Sequence, residues 1–349
     1  MKIGILNNDL RFGDPRSVAL YFPLHQAMAL EAWRHDAHLT WFDSSTPVAP
    51  FFAKKRDLEF DGLIGIVPWR TNQLWDRPSS AGSKPFVNLL IQAPFPKSNF
   101  VGNDDAASVE IAVRHLLSGQ HRRIGLFCVG IESYAFEIYD AFCKSIQACG
   151  LPLKKEWVFG DFDYASHARK AKVDERDLFQ SFRPSTQIEQ DLIFQRIIEA
   201  SERPDAVIFS NSYYANRFLE FMAARDLRAP GDIAVISLGA YHTYFDNREN
   251  VPLSVVVDDR AEIGKMGVIL LCDMIAGRRP THSQKILIPP ELKISGSSLK
   301  SAAAEPEEYR IKTAIVDFIA AHYAEKNILV RLAGFLGMDY KYFSKKFKT

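Results

Sequence analysis

Six residues near the end of the chain place hydrogen-bond donors at helical spacing: Tyr340, Lys341, Ser344, Lys345, Lys346 and Lys348. At about 100° per residue, Lys341, Ser344, Lys345 and Lys348 fall within roughly 100° of one another. Phe343 and Phe347 lie on the opposite side. One face can therefore anchor to a core while the other offers three ammonium groups and a hydroxyl. A helix that enters a DNA major groove needs that division, with donors turned toward phosphates and base edges. A solvated lysine-rich helix face has the same composition and stays open as the plainer reading.

A second set of polar residues follows apolar runs. Asn8, Asp9 and Arg11 come after the first run, Trp69 after another, Asn211 after 206–210 and Asp258 after 254–257; Tyr134 and Tyr241 stand at comparable strand-to-helix passages. Amides, carboxylates, a guanidinium and aromatic rings are the groups that recognise a small polar molecule in a cleft.

Catalytic patterns are not legible. The sequence has no GxGxxG, Walker or GxSxG element, and Ser295-Gly296-Ser297-Ser298 lacks the flanking residues of a nucleophile elbow. His35-x-x-His38 has no partner Glu and reads as two surface histidines in a helix-to-strand passage. Asp104-Asp105 and Asp258-Asp259 read as helix caps more readily than as an acid/base pair. We expect no enzyme activity, no catalytic residue, no metal and no cofactor. Cys128, Cys143, Cys149 and Cys272 form no C-x-x-C pair and read as buried reduced thiols.

The elements that must position these groups alternate along the first 300 residues. Strand-like runs at 2–6, 63–67, 86–91, 123–129, 206–210, 233–238, 254–257 and 285–288 are nearly continuous in apolar residues, as for strands covered on both faces. Helical patterns fill 107–117, 135–149, 187–200, 215–224 and 262–276. Such alternation predicts an α/β fold of doubly wound parallel sheets. Residues 297–308 are small and polar and read as a linker. Beyond them, helices are expected at 309–323, 328–336 and 340–348; Leu329, Leu332, Ala333 and Leu336 form the buried face of the second.

The chain holds 43 Lys+Arg and 42 Asp+Glu in 349 residues, a net charge of +1. That balance conceals two opposed parts. Residues 309–349 carry eight basic and three acidic side chains, a net of +5, leaving 35 against 39, or −4, for the rest. A compact basic unit beside an acidic one suits a nucleic-acid reader joined to a sensor. No apolar run approaches the roughly 20 residues of a membrane span, and the apolar start Met1–Leu6 is shorter than a secretory h-region. We expect a cytoplasmic protein without membrane partners.

Two resemblances sharpen this. The stretch Ile328-Leu329-Val330-Arg331-Leu332-Ala333-Gly334-Phe335-Leu336-Gly337-Met338-Asp339, followed by Tyr342-Phe343-Ser344-Lys345-Lys346-Phe347-Lys348, resembles the first helix-turn-helix of the AraC/XylS regulators. The resemblance implies that Lys341, Ser344 and Lys345 approach bases and that Lys346 and Lys348 sit nearer phosphates. That family's domain holds two such units; here only the first is matched, as in a truncated or naturally short chain. Arg203-Pro204-Asp205-Ala206-Val207-Ile208, Ala229-Pro230-Gly231-Asp232-Ile233-Ala234-Val235-Ile236, Pro252-Leu253-Ser254-Val255-Val256, Gly264 and Leu287-Ile288-Pro289-Pro290-Glu291-Leu292 resemble the effector domain of LacI-type regulators. So do Phe60-Asp61-Gly62-Leu63-Ile64 and Asn103-Asp104-Asp105-Ala106-Ala107.

The combination resembles xylose-operon activator-type regulators. It implies a two-lobed, periplasmic-binding-protein-like domain over 1–296 (lobe 1 about 1–130 and 254–283, lobe 2 about 131–253 and 284–296) and a DNA-binding unit over 309–349. A homodimer would bind double-stranded operator DNA, and a sugar-like effector would sit between the lobes. Where the family grips a sugar with an Arg and an Asp, this sequence has Ile138 and Gly239-Ala240, so the family's usual monosaccharide-gripping pair is replaced. The alternative is a small-molecule binding protein with no DNA role.

Overall fold

The computed structural model describes residues 1–7, 15–42, 59–66, 84–90, 99–128, 132–159, 187–239, 252–281, 284–299 and 327–335. The chain divides into two compact units, Met1–Leu299 and Lys300–Thr349.

The first unit is built on two six-stranded sheets. Sheet 1 contains β1 (Lys2–Asn7), β2 (His38–Phe42), β3 (Gly62–Ile66), β4 (Phe86–Leu89), β5 (Asn99–Asn103) and β11 (Lys285–Ile288), in the order β11-β5-β4-β3-β1-β2. Sheet 2 contains β6 (Ile124–Phe127), β7 (Val158–Phe159), β8 (Ala206–Phe209), β9 (Ala234–Leu238), β10 (Ser254–Val257) and β12 (Glu291–Lys293), in the order β12-β10-β9-β8-β6-β7. Every pairing is parallel except β10 with β12. This is the expected two-lobed, doubly wound α/β architecture, and the central strands are buried along their whole length, as the unbroken apolar runs required.

Helices cover the sheets. α1 (Pro15–Arg34) and α6 (Arg260–Ile275) pack together over sheet 1, where Leu24, Met28, Val268 and Leu271 meet Ile3, Ile5 and Ile64. Their approach depends on Gly264: a Cβ there would lie 2.5 Å from the Leu24 carbonyl oxygen. α2 (Asp105–Ser118) and α3 (Glu132–Ala148) cover one face of sheet 2 through Val109, Leu116, Phe142 and Ile146. α4 (Gln187–Ile198) and α5 (Ser212–Ala223) cover the other, an aromatic layer in which Phe127, Phe194, Phe209 and Phe218 hold their ring centroids 5.0 to 6.4 Å apart.

The chain passes between the sheets three times: from β5 into α2, from β10 into α6, and from β11 into β12. This moves the lobe boundaries from where the sequence reading put them. β6 and β10, expected in lobe 1, belong to sheet 2; β11, expected in lobe 2, pairs with β5 in sheet 1. Apolar periodicity reveals a strand without naming its neighbour, so the crossovers were misplaced by up to about two dozen residues.

Three further expectations are corrected. Ser297 and Ser298, read as the start of a linker, are buried against sheet 2. Cys128 and Cys272 are buried, whereas Cys143 and Cys149 are only partly so; all four are free thiols. In the second unit, α7 (Ile328–Phe335) buries Leu332 and Ala333 as expected, but Leu329 is 52% exposed. The helix expected at 309–323, and Leu336, lie outside the described residues.

Candidate functional site

In parallel α/β sheets the strand ends at the carboxyl edge deliver polar groups to a common crevice. Here two sheets present such edges, linked by crossovers that start from them. At sheet 1, β1 ends on the fully buried Asn7, whose Nδ2 lies 3.2 Å from His25 Nε2. Burial lowers the His25 pKa to about 4, so the ring is neutral at physiological pH and can accept the Asn7 amide proton. His25 stacks at 5.9 Å on Tyr21 and lies 4.4 Å from Trp41. The Tyr21 ring faces the Arg260 guanidinium at 5.6 Å.

Arg260 connects this cluster to sheet 2. Its Nε donates to Asp258 Oδ2 at 3.1 Å across the β10-to-α6 crossover, with both side chains largely buried. The neighbouring crossover carries a second carboxyl. Asp105, the first residue of α2, has its pKa raised to about 7. Burial is the main cause; the Asn103 hydrogen bond opposes it, and the charges of Glu137, Asp258 and Asp104 add to it. Glu137 on α3 is also raised by burial, against the pull of Lys285 on β11. Asn103 ties the turn together, donating from Nδ2 to Asp105 Oδ1 and Ser108 Oγ, both at 2.8 Å. The paired acids thus divide their labour. Asp104 and Asp259 cap α2 and α6 through the backbone N–H of Ala107 and Glu262; Asp105 and Asp258 occupy the crossovers.

At the sheet 2 edge, Asn211 follows β8 and caps α5, its Oδ1 accepting from Tyr213 N at 2.8 Å. Its Nδ2 and the second lone pair of Oδ1 are left to serve a ligand. One turn further, Asn216 is 6% exposed, and among the described residues neither amide atom has a hydrogen-bond partner. A buried amide without partners costs about 1–3 kcal/mol and marks a place where an incoming polar group would be welcome. Gly239 closes β9 with φ +76°.

Of the sequence-predicted cleft residues, Asn211 and Asp258 therefore stand at strand ends beside crossovers and helix caps. Asn8, Asp9, Arg11, Trp69 and Tyr241 lie outside the described residues, as do Tyr340, Lys341, Ser344, Lys345, Lys346 and Lys348; Tyr134 belongs to α3, but its side chain is not among those described. Ile138, aligned with the family's sugar-gripping Arg, is a fully buried core residue under sheet 2. Sequence reading missed Tyr21, His25, Trp41, Glu137, Asn216 and Arg260. Only Arg260 carried a signal, its position two residues after Asp258; the others needed the tertiary contacts. Among the described residues no group of three His, Cys, Asp or Glu is placed to hold a metal, and no helix is long and apolar enough to cross a membrane.

This chain belongs to the periplasmic binding protein-like domain family, whose model matches residues 113–298. Similar proteins include the HTH-type transcriptional repressor PurR of Actinobacillus pleuropneumoniae serotype 3 (strain JL03), 20% identical over 190 residues, 54% of this chain and 49% of that protein. The HTH-type transcriptional repressor CytR of Escherichia coli (strain K12) is 22% identical over 222 residues, 61% of this chain and 56% of that protein. The chain spans about half the length of these curated relatives. Among solved structures, a complex of the transcriptional regulator CelR with cellobiose superposes with TM-score 0.65 at 15% identity, covering 85% of this chain and 84% of that one. A LacI-family regulatory protein from Chloroflexus aggregans superposes with TM-score 0.64 at 19% identity, covering 85% of this chain and 98% of that one. At these identities the superpositions establish the fold.

Proposed function

We propose that this protein is an effector-responsive, DNA-binding transcription regulator, not an enzyme. A small molecule bound between the two α/β lobes shifts their relative position, and the shift changes DNA binding by the C-terminal unit. The observation that carries this reading is the crossover cluster of Tyr21, Asp105, Asp258 and Arg260, which joins the carboxyl edges of two sheets in a family whose named relatives are transcription regulators.

The fine reading goes further than the relatives. The C-terminal unit is of AraC/XylS type, with Tyr340, Lys341, Ser344, Lys345, Lys346 and Lys348 toward operator DNA. The protein works as a cytoplasmic homodimer. The effector is a neutral or hydroxyl-rich molecule such as a sugar, a class supported by the cellobiose in the CelR complex. The regulator activates a carbohydrate-catabolic operon, although PurR and CytR are named repressors.

The test is promoter-fragment binding at a fixed salt concentration, because phosphate contacts are counterion-dependent. The parent should bind and the Lys341→Ala/Lys345→Ala variant should lose about tenfold or more in affinity. Equal binding by both would remove the DNA-reading face and favour a plain small-molecule binding protein. A thermal-shift series with pentoses, hexoses and sugar acids addresses the effector, and a promoter–reporter fusion addresses the direction of regulation.

A further inference from the structure

Two elements of sheet 2 run from the crossovers to the point where the first unit ends. α2 starts at Asp105 and spans about 21 Å to His115 and Ser118. β10 ends at Val257, next to Asp258, and begins about 13 Å away at Ser254. At their far ends both are bonded to one side chain. His115 Nε2 lies 2.7 Å from Ser298 Oγ, and Ser298 Oγ lies 2.7 Å from Ser254 Oγ.

Proton counting fixes the direction of this chain. The Ser254 hydroxyl donates to the Ser295 carbonyl at 2.9 Å and accepts from the Ser295 N–H at 2.8 Å, so its own proton is used. Ser298 must then donate to Ser254, and His115 Nε2 must donate to Ser298. The ring therefore carries its proton on Nε2, and burial lowers its pKa, followed by the effect of His121. Ser297 completes the clasp. Its hydroxyl donates to the Val235 carbonyl at 2.6 Å and accepts from Ser254 N at 2.8 Å, and its carbonyl accepts from Val235 N at 2.7 Å. Ser254, Ser297 and Ser298 are at most 1% exposed. A short polar segment held by this many buried bonds does more than end a strand.

We infer that α2 and β10 are paired levers: they carry a movement of the Asp105 and Asp258 crossovers to the Ser295–Ser298 clasp, and so to the segment that leads out of the first unit at Leu299. The crossover ends of the levers sense each other's charge, since Asp258 is among the groups that raise Asp105. Asp258 is tethered to Arg260 at the start of α6 in the other lobe, so a change in lobe spacing pulls on β10. The clasp ends are joined through Ser298, which makes Ser298 a positioning residue that reads both levers. The link to an effector rests on the function proposed above; the mechanical route does not.

The experiment is amide hydrogen exchange on the full-length protein without any ligand, so its failure is distinct from failure of the functional reading. Asp258→Asn loosens the crossover and should speed exchange of the Ser295 and Ser297 amides by about tenfold, with the Ile3 and Ile5 amides of sheet 1 unchanged. Ser298→Ala should speed the same amides on its own. In the double variant, Asp258→Asn should add no further change, the mark of coupled sites. Exchange at the clasp that stays within twofold in Asp258→Asn, or effects that simply multiply in the double variant, would overturn the lever route. Should Asp258→Asn unfold the domain, Arg260→Lys serves as the milder crossover variant with the same two readouts.

Discussion

Arg260 and Asp258 form an ion pair of 3.1 Å across a chain crossover, with 12% and 15% of their side chains exposed. Only Asp259 stands between them, yet Asp258 directly follows a strand of sheet 2 and Arg260 opens a helix packed on sheet 1. The pair pins the lobes at the point where they exchange chain. Removing Arg260 leaves a largely buried carboxylate without its cation, and such losses cost about 3–5 kcal/mol when burial is complete. With partial exposure we expect about 2 kcal/mol for Arg260→Met, read by urea denaturation. Asp258→Asn in the same chain should recover much of it, because the uncompensated charge is then gone. A double variant as unstable as the single one would argue that Arg260 acts through its contact with Tyr21 instead.

Asp105 predicts a pH dependence whose sign can be worked out. Its folded pKa of about 7 exceeds the ordinary 3.8, chiefly through burial. Between those two values the folded chain holds a proton that the unfolded chain has released. Stability from the neutral carboxyl is therefore complete below about 3.8 and declines as pH rises toward about 7. Asp105→Asn keeps a neutral group at every pH. The variant should be more stable than the parent at pH 8, and the difference should vanish at pH 4. Parallel melting profiles for both proteins from pH 4 to 8 would refute the assignment.

Gly264 predicts a steric effect. A methyl group at this position would meet the Leu24 carbonyl at 2.5 Å, and that carbonyl is backbone that cannot swing aside. Gly264→Ala should separate α1 from α6 and destabilise the domain by about 1–3 kcal/mol, despite the better helix propensity of alanine. Chemical denaturation measures it. Among the described residues nothing lies within 4 Å of a Cβ at Gly334 on α7, so Gly334→Ala should be neutral or stabilising.

Asn216 predicts opposed effects on stability and response. Among the described residues, both of its buried amide atoms lack partners. Asn216→Leu should stabilise the ligand-free protein by about 1 kcal/mol and abolish the thermal shift produced by whichever sugar stabilises the parent. Unchanged ligand response would return Asn216 to the core.

Much of the first unit was legible in the sequence. Largely apolar runs located β1, β3, β4, β6 and β8 to β10 within about two residues, because strands buried on both faces carry few polar positions; β5, buried but with Asn at both ends, was not marked. Edge strands β2, β7 and β12 are short and partly exposed, and their patterns fell below notice. The cleft was legible only where a polar residue directly follows a strong strand, as Asn211 and Asp258 do. Tyr21 and His25 sit one turn apart inside a helix, and nothing local distinguishes them from ordinary core residues.

The sequence by itself did not mark α1 or β5, but it determined most of the central strands and five of the helices of the first unit, that the paired acids 104–105 and 258–259 belong to helix caps, and that the charge of the chain is divided between an acidic and a basic part. These are local properties, set by periodicity, by hydrogen-bond donors within three residues and by composition. The tertiary structure alone decided which sheet each strand joins, that Asp105, Glu137, Asp258, Arg260 and Lys285 influence one another, and that Ser297 and Ser298 are buried clasps and not the start of a linker. Those outcomes depend on contacts between residues up to about 180 positions apart, such as the His115–Ser298 bond. The free energy of such contacts comes from burial and bond geometry that exist only once the sheets have assembled.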